Sequence, residues 1–298
     1  MQKTVQSTSR LSASITRAAS KQTYYTVRYL VDRERVSDAY RAYAYFRWLD
    51  DRVDHVALQQ SERTALMDRQ KGLMDSCFRG QRPSDLVGEE HMLADLILAD
   101  QENNSGLQCY IRNMMAVIDF DARRRGRIIS RVELERYSQS LAVAVTEVMH
   151  HFIGHDQPSP QSEERYLAVT GAHITHMLRD TLEDIQAGYF NIPREYLAAT
   201  GIGPQDVESA PYRAWVQERV SLARACFRSG KAYLAQVKNW RCRTAGYAYV
   251  ARFEVVLEAI ERLNYRLAFE YPQARGLAAG MRMRGSVLSL ALFPPLRK

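Results

Sequence analysis

The segment from Tyr43 to Asp54, Tyr-Ala-Tyr-Phe-Arg-Trp-Leu-Asp-Asp-Arg-Val-Asp, sets three aspartates and their arginines in a run that is otherwise apolar and aromatic. On a helix of about 3.6 residues per turn, Tyr43, Arg47, Asp50 and Asp54 fall on one stripe, with Asp51 beside them. Such a stripe is too acidic for a core. Like charges one turn apart repel, so a helix that concentrates them carries a cost that a bound cation removes. The rest of the chain has to be built to face it.

Composition agrees with a helical frame for this stripe. The 298 residues include only 15 glycines and 9 prolines, while Ala, Leu, Arg and Glu recur throughout, which favours helix. We expect an all-α protein with a single helical domain over residues 20–298 and a disordered tail over residues 1–19. Residues 1–31 lack Asp and Glu and carry Lys3, Arg10, Arg17, Lys21 and Arg28 among many Ser and Thr, which also resembles an organelle transit peptide. The net charge of +7 suits anionic ligands, an anionic lipid surface or nucleic acid. Arg123, Arg124, Arg125 and Arg127 form a basic run without interleaved aromatics, so we read a solvated loop and no nucleic-acid partner. Cys77, Cys109, Cys226 and Cys242 show no metal-ligand spacing and read as reduced, buried thiols. No apolar run reaches the roughly 18 residues of a membrane span, and a cytoplasmic monomer is the expectation.

Periodicity and turn chemistry place helices at about Val36–Leu58, Ser61–Cys77, Arg131–His151, Ser162–Gln186, Tyr212–Trp240 and Thr244–Glu270. Between Gly88 and Asp119 a helical pattern breaks at Asn103-Asn104-Ser105-Gly106. In the Ser162–Gln186 helix, His173, His176, Asp180 and Asp184 share one face. Set against the helix of Asp50 and Asp54, it lines a cleft with four carboxylates. Magnesium suits such a cleft, because it takes oxygen ligands and is commonly held by one or two carboxylates plus substrate phosphates. Spacing alone is equally consistent with solvated helix surface.

The stretch Arg47 to Asp54 resembles the first aspartate-rich motif of the squalene and phytoene synthase family. Leu178-Arg179-Asp180-Thr181-Leu182-Glu183-Asp184 resembles the second. The likeness runs from about Ser20 to Arg284 and takes in Ser20-Lys21, Glu133-Leu134-Glu135-Arg136-Tyr137 and Asn191-Ile192-Pro193. It implies an isoprenoid synthase fold around a central hydrophobic cavity, capped by the two aspartate helices. It also implies head-to-head joining of two allylic prenyl diphosphates, C15 or C20. One substrate loses diphosphate, the double bond of the other attacks the allylic cation, and a cyclopropylcarbinyl diphosphate forms. By position, Asp50, Asp54, Asp180 and Asp184 would hold magnesium or manganese, with Asp51, Glu183 and His176 in support. Lys21, Arg47 and Arg179 would contact diphosphate, and Tyr43, Arg47 and Tyr137 would face the reacting centre.

Several positions depart from the family pattern. His173 and His176 stand where Gln and Asn are usual, and Leu141-Ala142-Val143 where Val-Ala-Gly is usual. Ala187-Gly188-Tyr189 replaces Arg-Gly-Arg, which removes a cation for which Arg123–Arg127, Arg179 and Arg266 are candidate replacements. Phe253 and Glu270 fall where some relatives have Tyr and Arg. Substrate, product and any need for reduced nicotinamide (NADPH) therefore stay open. So do two other classes: a one-substrate terpene cyclase or prenyltransferase, and a non-catalytic lipid-binding or assembly relative. Peripheral membrane contact is expected at Val287–Phe293, flanked by Arg282, Arg284, Arg297 and Lys298.

Overall fold

The computed structural model describes residues 2–55 and 57–271, with side chains from residue 11 onward. The described residues form α1 (Gln2–Ala19), α2 (Lys21–Leu30), α3 (Val36–Val53), α4 (Gln60–Phe78), α5 (Glu90–Ala99) and α6 (Gly106–Arg124). The chain continues through α7 (Arg131–Phe152), α8 (Leu167–Ala187), α9 (Arg194–Thr200), α10 (Ala210–Leu234) and α11 (Trp240–Arg262). The all-α expectation holds among these residues, where the one β-type contact is an isolated bridge between Ile128 and Phe190.

Local chemistry sets the helix ends. Ser20, Ser209 and Asn239 cap α2, α10 and α11 by accepting from backbone N–H groups one turn ahead, Thr23 N at 3.2 Å, Tyr212 N at 3.2 Å and Cys242 N at 3.1 Å. Gly188, at φ 86°, closes α8 in the left-handed conformation. Helix α3 ends five residues before the expected Leu58. There Arg63 of α4 donates to the carbonyls of Val53 at 2.8 Å and His55 at 3.2 Å, supplying partners to carbonyls at and beyond the helix end. Likewise α11 stops at Arg262, because Asn264 and Tyr265 take left-handed φ values of 52° and 59°.

The chain separates into two compact units. The first takes in residues up to Arg123 and Glu147–Asp156; the second takes in Arg124–Thr146 and the residues from Gln157 on. In the first unit α3 packs on α1, α2 and α5, and α4 packs on α5. Residues 1–19, expected as a disordered tail, hold α1. Its Ser12 and Thr16 are fully buried, and the Thr16 hydroxyl donates to the Ser12 carbonyl at 2.8 Å, so the small polar face of α1 is satisfied against α3. Ala42, Ala44, Tyr45, Phe46 and Leu49 of α3 point into this core, which leaves the aspartate stripe outward. Buried Asp32 pins the end of α7 by accepting from the backbone N–H groups of Gly154 and His155, each at 3.0 Å.

In the second unit α8 packs on α10 and α11. The α8–α10 contact depends on glycine. A Cβ on Gly230 would lie 2.5 Å from the backbone nitrogen of Ala168, and one on Gly171 would lie 2.9 Å from the Phe227 ring. Buried Arg165 ties the entry of α8 to α10 by donating to the Tyr233 hydroxyl at 2.8 Å and the Ser159 hydroxyl at 2.6 Å. Among the described residues no helix is long and apolar enough to cross a membrane. The segment Val287–Phe293, with its flanking basic residues, lies outside the described residues.

Candidate active site

The first unit presents Arg47, Asp50, Asp51 and Asp54 on the solvent side of the last turns of α3. Arg47 is held by both neighbours: its Nη2 donates to Asp51 Oδ1, its Nε to Asp51 Oδ2 at 3.2 Å and its Nη1 to Asp50 Oδ2 at 3.4 Å. Asp54 is the C-cap of α3, and its backbone N–H donates to the Asp50 carbonyl at 2.9 Å. Removal from water, first, and the charge of Asp54 push the Asp50 carboxyl up to about 7; Arg47 opposes this, while Asp121 and Asp51 add to it. The Asp50 side chain remains 43% exposed, so this crowding is reachable by a ligand. Asp121, on α6, has no place in the aspartate-rich motif, and its sequence signal is only an acid one residue after Phe120 on the same helix. Half-buried Tyr43 lies on the same stripe, within electrostatic reach of Arg47. Lys21 is exposed in the first turn of α2 and makes no hydrogen bond or ion pair to this group among the described residues.

The second unit presents His176, Arg179, Asp180, Glu183 and Asp184 on α8. Burial works against ionisation of Asp180, yet two bonds from Arg179, Nε to Oδ1 at 2.5 Å and Nη2 to Oδ2 at 2.7 Å, hold it well below the usual carboxylate range. His176 adds a contact from Nε2 to Asp180 Oδ2 at 2.9 Å. Asn191 donates to Asp184 Oδ2 at 2.8 Å and accepts from Arg124 Nη1 at 3.0 Å. Arg124 is 4% exposed, with its guanidinium 5.0 Å from the Tyr137 ring centroid and 5.1 Å from that of Tyr189. The solvated-loop reading of the basic run therefore fails at Arg124. Arg125 also turns inward, donating to the Ala187 carbonyl at 2.9 Å, whereas Arg123 and Arg127 stay exposed. Arg124, from the end of α6, lies beside Tyr189 of the Ala187-Gly188-Tyr189 stretch.

His173 does not join His176 in the open. It is buried, its ring 5.0 Å from that of Tyr137, and removal from water, then His176, Arg124 and Arg219, push its pKa down to about 3. A cavity of about 420 Å³ adjoins the second motif, lined by Arg179, Asp180, Glu183, Arg252, Phe269 and Glu270. Phe253 lies beside the motif face, its ring 6.3 Å from that of His176.

Asp50, Asp51, Asp54 and Asp121 repel one another electrostatically and offer only oxygen donors, the kind of charge that a divalent cation such as magnesium relieves. On α8 the fit is conditional, because both oxygens of Asp180 already accept from Arg179 and a metal has to displace that guanidinium.

Comparison with known proteins places this architecture. The profile of the squalene/phytoene synthase family matches residues 16–278, and the chain belongs to this family. It is 27% identical over 201 residues to the presqualene diphosphate synthase of Zymomonas mobilis, covering 66% of this chain and 64% of that one. A chloroplastic phytoene synthase of an Oncidium hybrid cultivar is 24% identical over 253 residues, covering 82% of this chain and 59% of the relative. The chain thus spans about three fifths of the length of these curated relatives. A dehydrosqualene synthase crystal structure superposes with a TM-score of 0.74 at 17% identity, over 96% of this chain and 97% of the other. That likeness shows the fold, an all-α isoprenoid synthase fold.

Proposed function

We propose that the protein is a prenyltransferase that condenses two allylic prenyl diphosphates head to head, with magnesium, through a cyclopropylcarbinyl diphosphate. The observation that carries this reading is the stripe of Asp50, Asp51 and Asp54 beside Arg47 on the solvent side of α3, in a chain whose family match spans both aspartate motifs. Asp50, Asp51 and Asp54 in the first unit, with Asp121 in support, and Asp180 and Asp184 in the second, would hold magnesium or manganese. When bound, such an ion supplies positive charge that stabilises a leaving diphosphate.

The chain's own residues do the rest. Arg47 is already aimed along the carboxylate stripe and would contact the diphosphate oxygens. Arg179 would exchange Asp180 for diphosphate, a trade between two anions that a guanidinium binds in the same forked manner. Lys21, exposed and without a bond to the α3 group, would add a cation from α2. The aromatic faces of Tyr43 and Tyr137 would stabilise positive charge on the allylic carbons. Buried Arg124 would lend its charge on the diphosphate side while keeping Tyr137 and Asn191 in place.

Product analysis tests this reading. Purified full-length protein is incubated with farnesyl or geranylgeranyl diphosphate and magnesium, with and without reduced nicotinamide, and extracts are read by mass spectrometry. A C30 or C40 product with release of diphosphate, abolished by EDTA, is expected. A folded sample that turns over neither substrate refutes the proposal, and a terpene built from a single diphosphate replaces it with a one-substrate reaction.

A further inference from the structure

A second cavity, of about 460 Å³, lies in the second unit on surfaces of α7, α8 and α10 that the aspartate chemistry does not use. On α8 it is lined by Thr170 and Ile174, roughly a quarter turn around the helix from the stripe of His173, His176, Asp180 and Asp184. On α7 it is lined by Ser138 and Ala142, and Tyr137 faces elsewhere. Its volume falls within the range of about 300–1,000 Å³ that small-molecule sites occupy.

The lining has two characters. Leu134, Ala142, Leu167, Ile174 and Pro193 form an apolar wall. Against it stand Trp215, only 7% exposed, and Arg219, whose guanidinium lies 5.2 Å from the Trp215 ring centroid. Arg219 is half-buried and makes no hydrogen bond or ion pair among the described residues. Glu135, Glu218 and Arg131 also line the cavity, but all three are exposed at its rim. Burial, first, lowers the pKa of Arg219, and Arg131 adds to this, while Cys226, Glu135 and Glu218 pull the other way without forming an ion pair with it. The Ser138 hydroxyl is buried here without a partner as well. A half-buried guanidinium with no ion pair of its own is incompletely compensated by the rim carboxylates, and an anionic group entering the cavity would pair with it directly.

We propose that this cavity binds a single-chain amphiphile whose apolar chain lies along the Leu134–Leu167 wall and whose anionic head pairs with Arg219. A guanidinium takes carboxylate and phosphate in the same forked geometry, so the head is either of these. The site is separate from the proposed prenyl diphosphate reaction and does not depend on it.

Calorimetric titration of the full-length protein in EDTA, below micellar concentrations, tests this. The probes are dodecanoate, dodecyl phosphate, uncharged dodecanol and inorganic phosphate. One of the two anionic amphiphiles should bind saturably, and the better one identifies the head. Arg219→Gln should weaken that binding at least about tenfold while leaving dodecanol unchanged. Leu222→Trp, at a lining position that is 43% exposed and therefore tolerant of a larger side chain, should weaken all the amphiphiles by filling the mouth. Thermal unfolding confirms that each variant is folded. Absence of saturable binding by both anionic amphiphiles overturns the proposal, and so does equal affinity in wild type and both variants, which would place the ligand elsewhere.

Discussion

Asp121 enters the first half-site through space, from α6, and its charge helps to hold the Asp50 carboxyl near 7. Replacing it with Asn leaves the α3 motif intact but removes one of the charges that make the group favour a cation. Groups that support metal ligands typically contribute about 10–100-fold to affinity or activity. Asp121→Asn should therefore lower magnesium-dependent diphosphate release by that order. Asp119→Asn, two residues away on the same helix but paired at the surface with Arg123 and Lys71, should not. Equal effects of the two would make Asp121 an ordinary surface acid. A different residue governs response to acid. His151 is buried, its Nε2 lies 2.8 Å from Arg35 Nη1, and Glu102 and His155 complete the cluster. Burial, first, and then Arg35 and His155 push its pKa down to about 4, against weaker upward pulls from Asp100 and Glu102. Between about 4 and the usual histidine value near 6.5 the unfolded chain binds more protons than the folded one, so stability is lost as pH falls through that window. His151→Gln keeps an acceptor for Arg35 without the titration. Its melting temperature should fall less than that of the wild type between pH 6.5 and 4, and identical slopes would refute the assignment.

At the scale of the element, the α8–α10 contact and the exposed face of α4 make opposite predictions for the same substitution. Gly230→Ala places a methyl group against the backbone of Ala168, an overpacking that should destabilise the protein by about 1–3 kcal/mol in urea unfolding. Gly72→Ala, in the interior of α4 with no atom within 4 Å of the new Cβ, should stabilise it by about 0.5–1 kcal/mol. The same contrast shows how much was legible beforehand. The aspartate stripes of α3 and α8 can be read from spacing, because residues three and four apart share a face wherever the helix sits. Capping by Ser20, Ser209 and Asn239 is equally local. By contrast, the end of α3 at Val53 depends on Arg63, which reaches the carbonyls of Val53 and His55 from α4. Arg124 is one of four arginines within five residues, and only its packing between Tyr137 and Tyr189 separates it from its solvated neighbours. His173 and His176 look alike in sequence, yet one is buried against Tyr137 and the other holds Asp180 at the surface. Periodicity reports which face a residue is on, and these cases turn on what meets that face.

Across the whole molecule the carboxylates are divided between the units, Asp50, Asp51, Asp54 and Asp121 in one and Asp180 and Asp184 in the other. If both sets serve one ionisation step, they act as a unit, and removing either should cost most of what removing both does. A metal contact made in the transition state is worth several kcal/mol, and each factor of ten corresponds to about 1.4 kcal/mol. Asp50→Asn and Asp180→Asn should therefore each slow diphosphate release by at least about 100-fold, and the double variant should fall little further than the slower single one. Asp180→Asn also frees Arg179, so its loss should persist at saturating magnesium if the carboxylate itself is needed, and should recover if Asp180 merely restrains Arg179. Rates measured under single-turnover conditions, with folding checked by circular dichroism, distinguish these cases. Multiplying effects in the double variant would mean that the two units serve separate events, and the single-step reading would give way to one in which the unit of α3 ionises a substrate without α8.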